Sequence, residues 1–223
     1  MNKTNKVLVV VAHPDDELLG LAGTLCKHRD AGDNVSILIL ANGEDSRDTG
    51  ANAKKRLGQA GRVAKKLKAK LYLENLPDNQ FDSVPLLKIA KLVEKVIFKV
   101  KPSIVYTHHP QDLNIDHQKA CEAVMTACRP MPGVHVRKIF GFETLSSTEW
   151  QIKDFRQFAP NHYVDIHKYL KEKRSLLKHY HDEMRNYPHS RSYEGVEILA
   201  KYRGLEVGLK SAEAFEVLRS IDF

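Results

Sequence analysis

The chain has 223 residues, 42% of them hydrophobic and 28% charged, and a formal net charge of +7 at pH 7. This composition is typical of a soluble globular protein, and the length suits one domain over residues 1–223. No apolar run approaches the roughly 20 residues that cross a bilayer, so we expect no stable membrane insertion. The basic residues are scattered along helical stretches without RNA-binding or zinc-finger spacing, so nucleic acid is not an expected partner.

The N-terminal residues and the cysteines both favour a cytoplasmic protein. Residues 1–6 lead directly into an apolar strand without a small-residue cleavage site, which makes a poor secretory signal. Cys26, Cys121 and Cys128 form no Cys-x-x-Cys pair and no even set, so we expect reduced thiols in the core.

Apolar runs and helical patterns alternate along most of the chain. They predict strands at 6–11, 35–40, 70–74, 103–107 and 138–143, and helices at 16–31, 50–68, 84–99 and 115–128. Strands separated by such helices predict an α/β fold, with a mostly parallel sheet covered by helices on both faces. The segments 165–185 and 191–219 have helical patterns, which adds a helical C-terminal part.

The first cluster of reactive side chains lies where the first strand ends. The apolar run 7–11 is followed directly by His-Pro-Asp-Asp-Glu at 13–17. A histidine and three acids at the end of a buried strand are costly to bury unless something pairs with them, and a divalent metal would do so. Ligands of open α/β sheets bind outside the carboxyl ends of the strands, so the position suits a site.

The second cluster follows the strand 103–107 and spans residues 107–117. In a parallel sheet both clusters emerge at the same edge, so residues about 100 positions apart can converge. One histidine and one aspartate from the first loop and one histidine from the second would give zinc three protein ligands and an open fourth position. Asp15 and Asp16 have a simpler explanation, as N-caps of the helix that follows, and His117 alone could be an ordinary partly buried histidine.

The motif Ala-His-Pro-Asp-Asp-Glu at 12–17, paired with Asp-x-x-x-Asp-His at 112–117, resembles the N-acetylglucosaminyl-phosphatidylinositol de-N-acetylase (PIG-L/LmbE-like) family. Members are zinc-dependent deacetylases with a Rossmann-like fold that act on N-acetylglucosamine conjugates. The resemblance implies hydrolysis of the acetamide of a small amino-sugar substrate, carried as a glycoside or linked to a nucleotide or lipid. It is also compatible with a homo-oligomer.

Carried over by position, the resemblance makes His13, Asp16 and His117 the ligands of one zinc ion per chain. It makes Asp15 the general base that activates the zinc-bound water. Zinc lowers the pKa of its water toward about 7, so a neighbouring carboxylate can complete the deprotonation at neutral pH.

The sequence departs from the family at Asn114, where many members carry a histidine that assists the oxyanion. An asparagine amide can still donate a hydrogen bond, so Asn114 is a candidate catalytic residue, but it could equally serve only as the cap of the helix that follows. Asp112 and Asp116 are expected to hold ligand side chains in place. Protonation of the leaving amine then falls to Asp15, or to a histidine such as His109 or His189.

Candidates for substrate binding come from the other loops at this edge. Arg56 occupies the position of the family's Arg-x-x-Glu helix start, Arg47 follows the second strand, and Asp78 follows the third. Each could also be a surface or turn residue. Arg191 and His189 form a polar cluster that either lines the pocket or only separates two helices.

Functions of other classes would require different residues or fewer of them. A zinc amidase that cleaves a larger amide would share the same residues, and a non-catalytic sugar-binding protein would not need the base. A nucleotide-cofactor enzyme would carry Gly-x-Gly-x-x-Gly after the first strand, where this chain has His-Pro-Asp-Asp-Glu.

Overall fold

The computed structural model describes residues 4–41, 51–133, 135–154 and 156–222, and for residues 51–53 only the backbone. Strands and helices alternate through the first two thirds of the chain, as predicted. In chain order they are β1 Lys6–Val11, α1 Asp16–Asp30, β2 Asn34–Ala41, α2 Ala51–Lys66, β3 Lys70–Leu76, α3 Leu86–Val100, β4 Ile104–His108, α4 Ile115–Ala127, β5 Lys138–Phe142, β6 His162–Asp165, α5 Leu170–Leu177, α6 Tyr193–Leu205 and β7 Ala212–Ser220.

The strands form a mostly parallel sheet in the order β3-β2-β1-β4-β5-β7-β6. The first five strands of this order run parallel, whereas β7 is antiparallel to both β5 and β6. The chain builds outward from β1 in one direction through β2 and β3, and then returns to add β4 on the other side. This reversal between β1 and β4 creates a crevice at the carboxyl ends of the two strands.

Both faces of the sheet are covered, which explains the unbroken apolar run of β1. Val7, Val9 and Val11 belong to the core cluster that includes residues of α1 and α2. Leu8 and Val10 point the other way, into the cluster formed with α3 and α4. Alternate residues of a strand face opposite sides, so a strand at the centre of such a sheet is apolar throughout.

Helix α1 is broken near its middle, and residues distant in sequence form hydrogen bonds with the backbone groups that the break leaves unpaired. Leu21 has non-helical torsion angles of φ −145° and ψ 27°. The Glu213 carboxylate on β7 accepts from the backbone N–H groups of Gly23 and Thr24 at 2.9 and 2.7 Å. The ammonium of Lys173 on α5 donates to the Leu19 carbonyl at 2.9 Å and to Glu213 at 2.7 Å. A buried ion pair thus binds the backbone groups that the helix leaves unpaired.

Two glycines let α1 lie close to the sheet. A Cβ added at Gly20 would stand 2.3 Å from the Phe142 ring, and one at Gly23 would stand 2.7 Å from Ile166. The glycines that follow the first motif are therefore explained by close packing.

The prediction of one helical region at 191–219 is wrong in its second half. Residues 193–205 form α6, but Ala212–Ser220 is the strand β7. The sequence Ala-Glu-Ala-Phe-Glu-Val-Leu favours a helix by local propensity, and pairing with β5 on one side and β6 on the other overrides it.

Two smaller differences concern the segment before α6. The short strand β6 was not predicted, because four residues without clear alternation carry little signal. The predicted helical segment 165–185 is divided into a 3₁₀ turn at His167–Tyr169, helix α5, and a second 3₁₀ stretch at Lys178–Glu183.

The helices of the described ranges include none with the length and apolarity required to cross a membrane. The cysteines Cys26, Cys121 and Cys128 are buried and unpaired, as predicted.

Candidate active site

The two predicted clusters meet at the crevice between β1 and β4. His13, Asp15 and Asp16 follow β1 directly, and His117 lies in the first turn of α4, shortly after β4 ends. All four side chains are buried, with 9% exposure for His13 and 2% or less for the others. The parallel order of neighbouring strands brings residues about 100 positions apart to one place.

Asp15 and Asp16 point in different directions because the backbone turns sharply between them. Asp15 has φ 111°, a left-handed conformation that is costly for a residue with a side chain. It occupies the N-cap position of α1, yet its side chain makes no capping hydrogen bond. The simple explanation of Asp15 as a helix cap therefore fails. Asp16 is also engaged elsewhere, since its Oδ2 accepts from the His13 backbone N–H at 2.9 Å.

His13, Asp16 and His117 are arranged as ligands of a single ion. Asp16 Oδ2 lies 3.4 Å from His13 Nδ1 and 3.4 Å from His117 Nε2. The three ligand atoms lie within 4.8 Å of one another. Ligand atoms about 2.0–2.1 Å from a tetrahedral zinc ion stand about 3.3–3.4 Å apart, so the residues fit zinc in donor type and in spacing.

His108 is close to these groups but is not arranged as a ligand. Its ring stacks on that of His117 with centroids 3.8 Å apart. His108 Nε2 accepts from the Ala12 backbone N–H at 3.0 Å, so its lone pair is occupied. Burial, followed by the charge of His117, lowers the pKa of His108 to about 3, which keeps the ring neutral. His108 is fully buried and packs against the His117 ring, which it helps to hold in place.

Two carboxylates lie against Nε2 of His13, the ring nitrogen that does not face Asp16, and hold the ring in place. His13 Nε2 lies 2.9 Å from Asp78 Oδ1 and 3.0 Å from Asp116 Oδ2. Asp116 is itself fixed by the backbone N–H groups of Asn79 and Phe81, at 2.7 and 2.9 Å. The atoms of His13, Asp78 and Asp116 are also close enough to form a cation-binding group. Their separations are those of hydrogen bonds, so we interpret them as support that leaves Nδ1 free for the metal.

Asp112 is the charged partner of His117. Asp112 Oδ1 lies 3.1 Å from His117 Nδ1, which leaves Nε2 facing Asp16. The hydroxyls of Ser147 and Thr148 donate to the two oxygens of the Asp112 carboxylate. Both histidines thus have one nitrogen against an acid and the other toward the shared centre.

The charge balance of the centre favours a cation. Burial acts to lower the pKa of His117, but the carboxylates of Asp16 and Asp112 overcome this and raise it to about 9. Burial likewise opposes protonation of His13, while Asp116, Asp16 and Asp78 hold its pKa well above the ordinary value. The negative charge of these buried carboxylates therefore favours a balancing positive charge, which protons on the histidines or a metal ion can supply. A metal replaces the protons on the facing nitrogens.

Asp15 faces the cavity beside an arginine from the C-terminal part of the chain. Arg191 Nη1 donates to Asp15 Oδ2 at 3.1 Å. Burial raises the pKa of the Asp15 carboxyl to about 6, against the charge of Arg191, which acts to lower it. A carboxyl with a pKa near neutrality can both accept and return a proton.

Glu17, the last residue of the first motif, lies behind Asp15. Its Oε2 accepts from the Asp15 backbone N–H at 3.0 Å, and its Oε1 accepts from the Tyr180 hydroxyl at 2.8 Å. Burial raises the pKa of Glu17 to about 8. Its contacts hold the strained backbone of Asp15.

A cavity of about 290 Å³ opens over these residues, and Asn114 lines its wall. Asn114 Oδ1 accepts from the Asp116 backbone N–H at 2.8 Å and so caps α4. Its amide nitrogen lies 3.5 Å from Asn79 Oδ1. Asn114 is therefore a helix cap that also lines the cavity, and its part in catalysis stays a prediction.

Two of the three candidates for substrate binding line the cavity, and the third lies outside the described residues. Arg56 lines the cavity, with its Nη2 3.0 Å from Glu183 Oε1. Asp78 also lines the cavity, in addition to its contact with His13. Arg47 lies outside the described residues. His109 is not positioned to protonate an amine, because its two nitrogens lie 3.0 Å from Glu216 and 3.2 Å from the Arg156 carbonyl.

Several cavity residues were not found from the sequence. Ser146, Ser147 and Trp150 come from the segment after β5, and Glu183 and Arg185 come from the segment before α6. Neither segment contains a recognisable sequence motif. The predicted strand β5 indicates that the first segment lies near the sheet, but it does not indicate which side chains reach the cavity. Arg191 and His189, left open from the sequence, also line the cavity.

Comparison with known proteins identifies the family of both motifs. The model of a family described as GlcNAc-PI de-N-acetylase (PIG-L) matches residues 8–128, which include both clusters. A curated relative in Escherichia coli (strain K12), described as the uncharacterized deacetylase YaiS, is 28% identical over 158 residues, which are 66% of this chain and 77% of the relative.

Solved structures share the fold over nearly the whole chain. N,N'-diacetylchitobiose deacetylase from Pyrococcus horikoshii has a TM-score of 0.79 at 20% identity, covering 97% of this chain and 85% of its own. GalB, the 4-carboxy-2-hydroxymuconate hydratase of Pseudomonas putida KT2440, has a TM-score of 0.77 at 18% identity, covering 98% of each chain. One fold thus carries both a deacetylase and a hydratase, so the reaction must be argued from the site.

Proposed function

The chain belongs to the GlcNAc-PI de-N-acetylase (PIG-L) family. From this premise we propose that it is a zinc-dependent hydrolase that removes the acetyl group from an N-acetylglucosamine-type amino sugar or its conjugate. The observation that carries the proposal is the joint geometry of the site. Two histidine nitrogens stand 3.4 Å from one Asp16 oxygen, and the carboxylate of Asp15, which accepts from Arg191, lies in the same cavity.

His13, Asp16 and His117 would hold the zinc. When bound, zinc supplies a Lewis acid that polarises the amide carbonyl and makes water more acidic. Asp116 and Asp112 fix the orientation of the two histidines, so the ligands need little rearrangement.

Asp15 carries out the proton transfers. Its carboxylate accepts a proton from the attacking water as oxygen adds to the acetamide carbon. It returns that proton to the nitrogen as the C–N bond breaks, which releases acetate and a free amine. Arg191 holds Asp15 Oδ2, and Glu17 holds the Asp15 backbone, so the carboxylate keeps one orientation. The amide of Asn114 donates to the oxygen that gains negative charge.

The buried free cysteines are in keeping with a reaction in the cytoplasm. The cavity of about 290 Å³ beside the ligands has room for an acetylated sugar.

The test is a screen for acetate release from N-acetylglucosamine in free, glycosidic, nucleotide-linked and lipid-linked forms. We expect about one zinc per chain, with activity that a chelator removes and zinc restores. Asp15→Asn should keep the zinc and lose most turnover, whereas His117→Ala should lose zinc affinity. An Asp15→Asn variant with turnover near that of the wild type would refute the assigned base, and a zinc-loaded protein that releases no acetate would refute the activity.

A further inference from the structure

A second cavity, of about 410 Å³, lies on the face of the sheet that α1 covers. It is a groove between the second half of α1, which contributes Lys27 and His28, and the rings of Tyr106, Phe140 and His162 on β4, β5 and β6. We call it the aromatic groove. It shares no lining residue with the cavity at the metal ligands, so a ligand bound there would occupy a separate site.

Three aromatic rings form one continuous side of the aromatic groove. Tyr106 stacks on Phe140 with centroids 5.3 Å apart and planes at 23°, and Phe140 stacks on His162 at 4.6 Å and 25°. The Tyr106 hydroxyl lies 3.0 Å from His28 Nε2, and His28 Nδ1 lies 2.7 Å from Asp33 Oδ2. These contacts hold the rings in place, so a flat ligand that packs against them has little ordering to impose.

The charges that line the aromatic groove are positive. Lys27 of α1 and Lys138 of β5 line it, and the described residues of its lining include no carboxylate. The acids whose charges act on the Tyr106 hydroxyl are Asp33 and Glu213. Asp33 is engaged by the histidine of α1, and Glu213 belongs to the buried ion pair that binds the broken helix. An excess of positive charge at a concave site favours an anionic ligand.

This positive charge is that of the two lysines. The ammonium of Lys27 donates to the Asp165 backbone carbonyl at 3.4 Å, a contact that neutralises none of its charge. Burial, followed by the charge of Lys138, lowers the pKa of His162. The ring of His162 is therefore neutral at pH 7, and it offers an aromatic face in place of a further charge.

We propose that the aromatic groove binds a small aromatic anion, a flat ring system that carries a carboxylate. The ring system packs against Phe140 and His162, in the offset or edge-to-face arrangements that aromatic pairs prefer, and the carboxylate lies toward Lys138. The volume of the groove is within the range of about 300–1,000 Å³ that is typical of small-molecule sites. This inference does not depend on the proposed deacetylase function.

The test compares three compounds by calorimetry on the zinc-loaded full chain. They are 2-naphthoate, the neutral alcohol 2-naphthylmethanol, which keeps the rings, and cyclohexanecarboxylate, which keeps the charge. We expect 2-naphthoate to bind about tenfold more tightly than either of the others. Equal affinity for 2-naphthoate and the alcohol would refute the role of the lysines, and equal affinity for the two carboxylates would refute that of the rings. Either result overturns the proposal.

Two variants assign the binding to the groove. Lys138→Met should weaken 2-naphthoate binding about fivefold and leave the alcohol unchanged, because it removes a charge and keeps a side chain of similar length. His162→Ala should weaken the binding of both naphthyl compounds. Lys201→Met is the matched control, since Lys201 is an exposed lysine on α6 outside the groove, and it should change neither affinity. With melting temperatures showing that the variants are folded, an unchanged 2-naphthoate affinity in Lys138→Met and His162→Ala would contradict the proposal.

A carboxylate can also bind zinc, so the titrations are repeated on protein from which a chelator has removed the metal. Binding at the aromatic groove should be unchanged, because the two cavities have separate linings. Binding that disappears with the zinc and persists in Lys138→Met belongs to the metal centre and overturns the proposal. So does the absence of binding for all three compounds, the result expected if a second copy of the chain covers the groove, which sedimentation velocity would show. The titrations need no turnover, so a chain that releases no acetate would refute the deacetylase and leave these outcomes unaffected.

Discussion

Asn114 combines two tasks that substitutions can separate. Its Oδ1 caps α4 by accepting from the Asp116 backbone N–H at 2.8 Å, and the residue lines the cavity, where we propose that its amide donates to the substrate. Asn114→Ala removes both the cap and the donor. Asn114→Ser keeps a side-chain oxygen that can cap the helix, but it is too short to donate to an oxyanion in the cavity.

The two contributions have different expected sizes. Loss of the cap costs about 1 kcal/mol of stability, which lowers the melting temperature of a chain of this length by about 2–4 °C. Loss of an oxyanion donor costs up to about 10²–10³ in kcat when that donor acts alone. A metal would share the charge here, so we expect the fall in kcat to be nearer tenfold.

Thermal unfolding and steady-state kinetics at saturating zinc measure the two effects separately. Asn114→Ala should lose both stability and kcat, whereas Asn114→Ser should keep the melting temperature and lose kcat, with KM changed less in both. If Asn114→Ser retains the wild-type kcat, the donor role is refuted and Asn114 is only a cap.

Three further predictions follow from contacts around the site. Asp112→Asn should weaken zinc binding about 10–100-fold, as measured by chelator competition, because His117 loses a charged partner; Asp82→Asn, on an exposed turn, is the control. The raised pKa of Glu17 means that the folded protein retains a proton there that the unfolded chain releases above its ordinary pKa of 4.5. Its contribution to stability is thus full below pH 4.5 and lost as the pH rises to about 8, so urea unfolding of Glu17→Gln should show a smaller decline over this range than the wild type. Lys173→Met should cost about 3–5 kcal/mol in the same assay, because Glu213 would remain buried without its partner; a loss under 1 kcal/mol would contradict the importance of this pair.

The elements that could be predicted from the sequence are those with a clear local pattern of apolar residues. The buried strands β1, β2 and β4 are apolar on both faces, and the helices between them have a clear period, so their bounds agree with the sequence to within one or two residues. The alanines and glutamates of β7 predict a helix, and this prediction is wrong because pairing with β5 and β6 holds the segment as a strand.

The parallel sheet and the two clusters at its edge are predictable from the sequence pattern. The residue pattern predicted one histidine and one aspartate from the first loop and one histidine from the second, and the family resemblance named them as His13, Asp16 and His117. The strand order carries these loops together. Donor type and spacing along the chain are local properties, and they are sufficient to indicate a metal.

The surroundings of these residues, in contrast, are formed by tertiary contacts that the sequence pattern does not reveal. Arg191 reaches Asp15 across 176 positions, and Glu213 caps the broken helix α1 from the far end of the chain. Trp150 comes to the cavity on a turn that Asp112 holds. Such contacts depend on how loops fold back over the sheet edge. No period or motif encodes them, because they are formed by single side chains from separate segments.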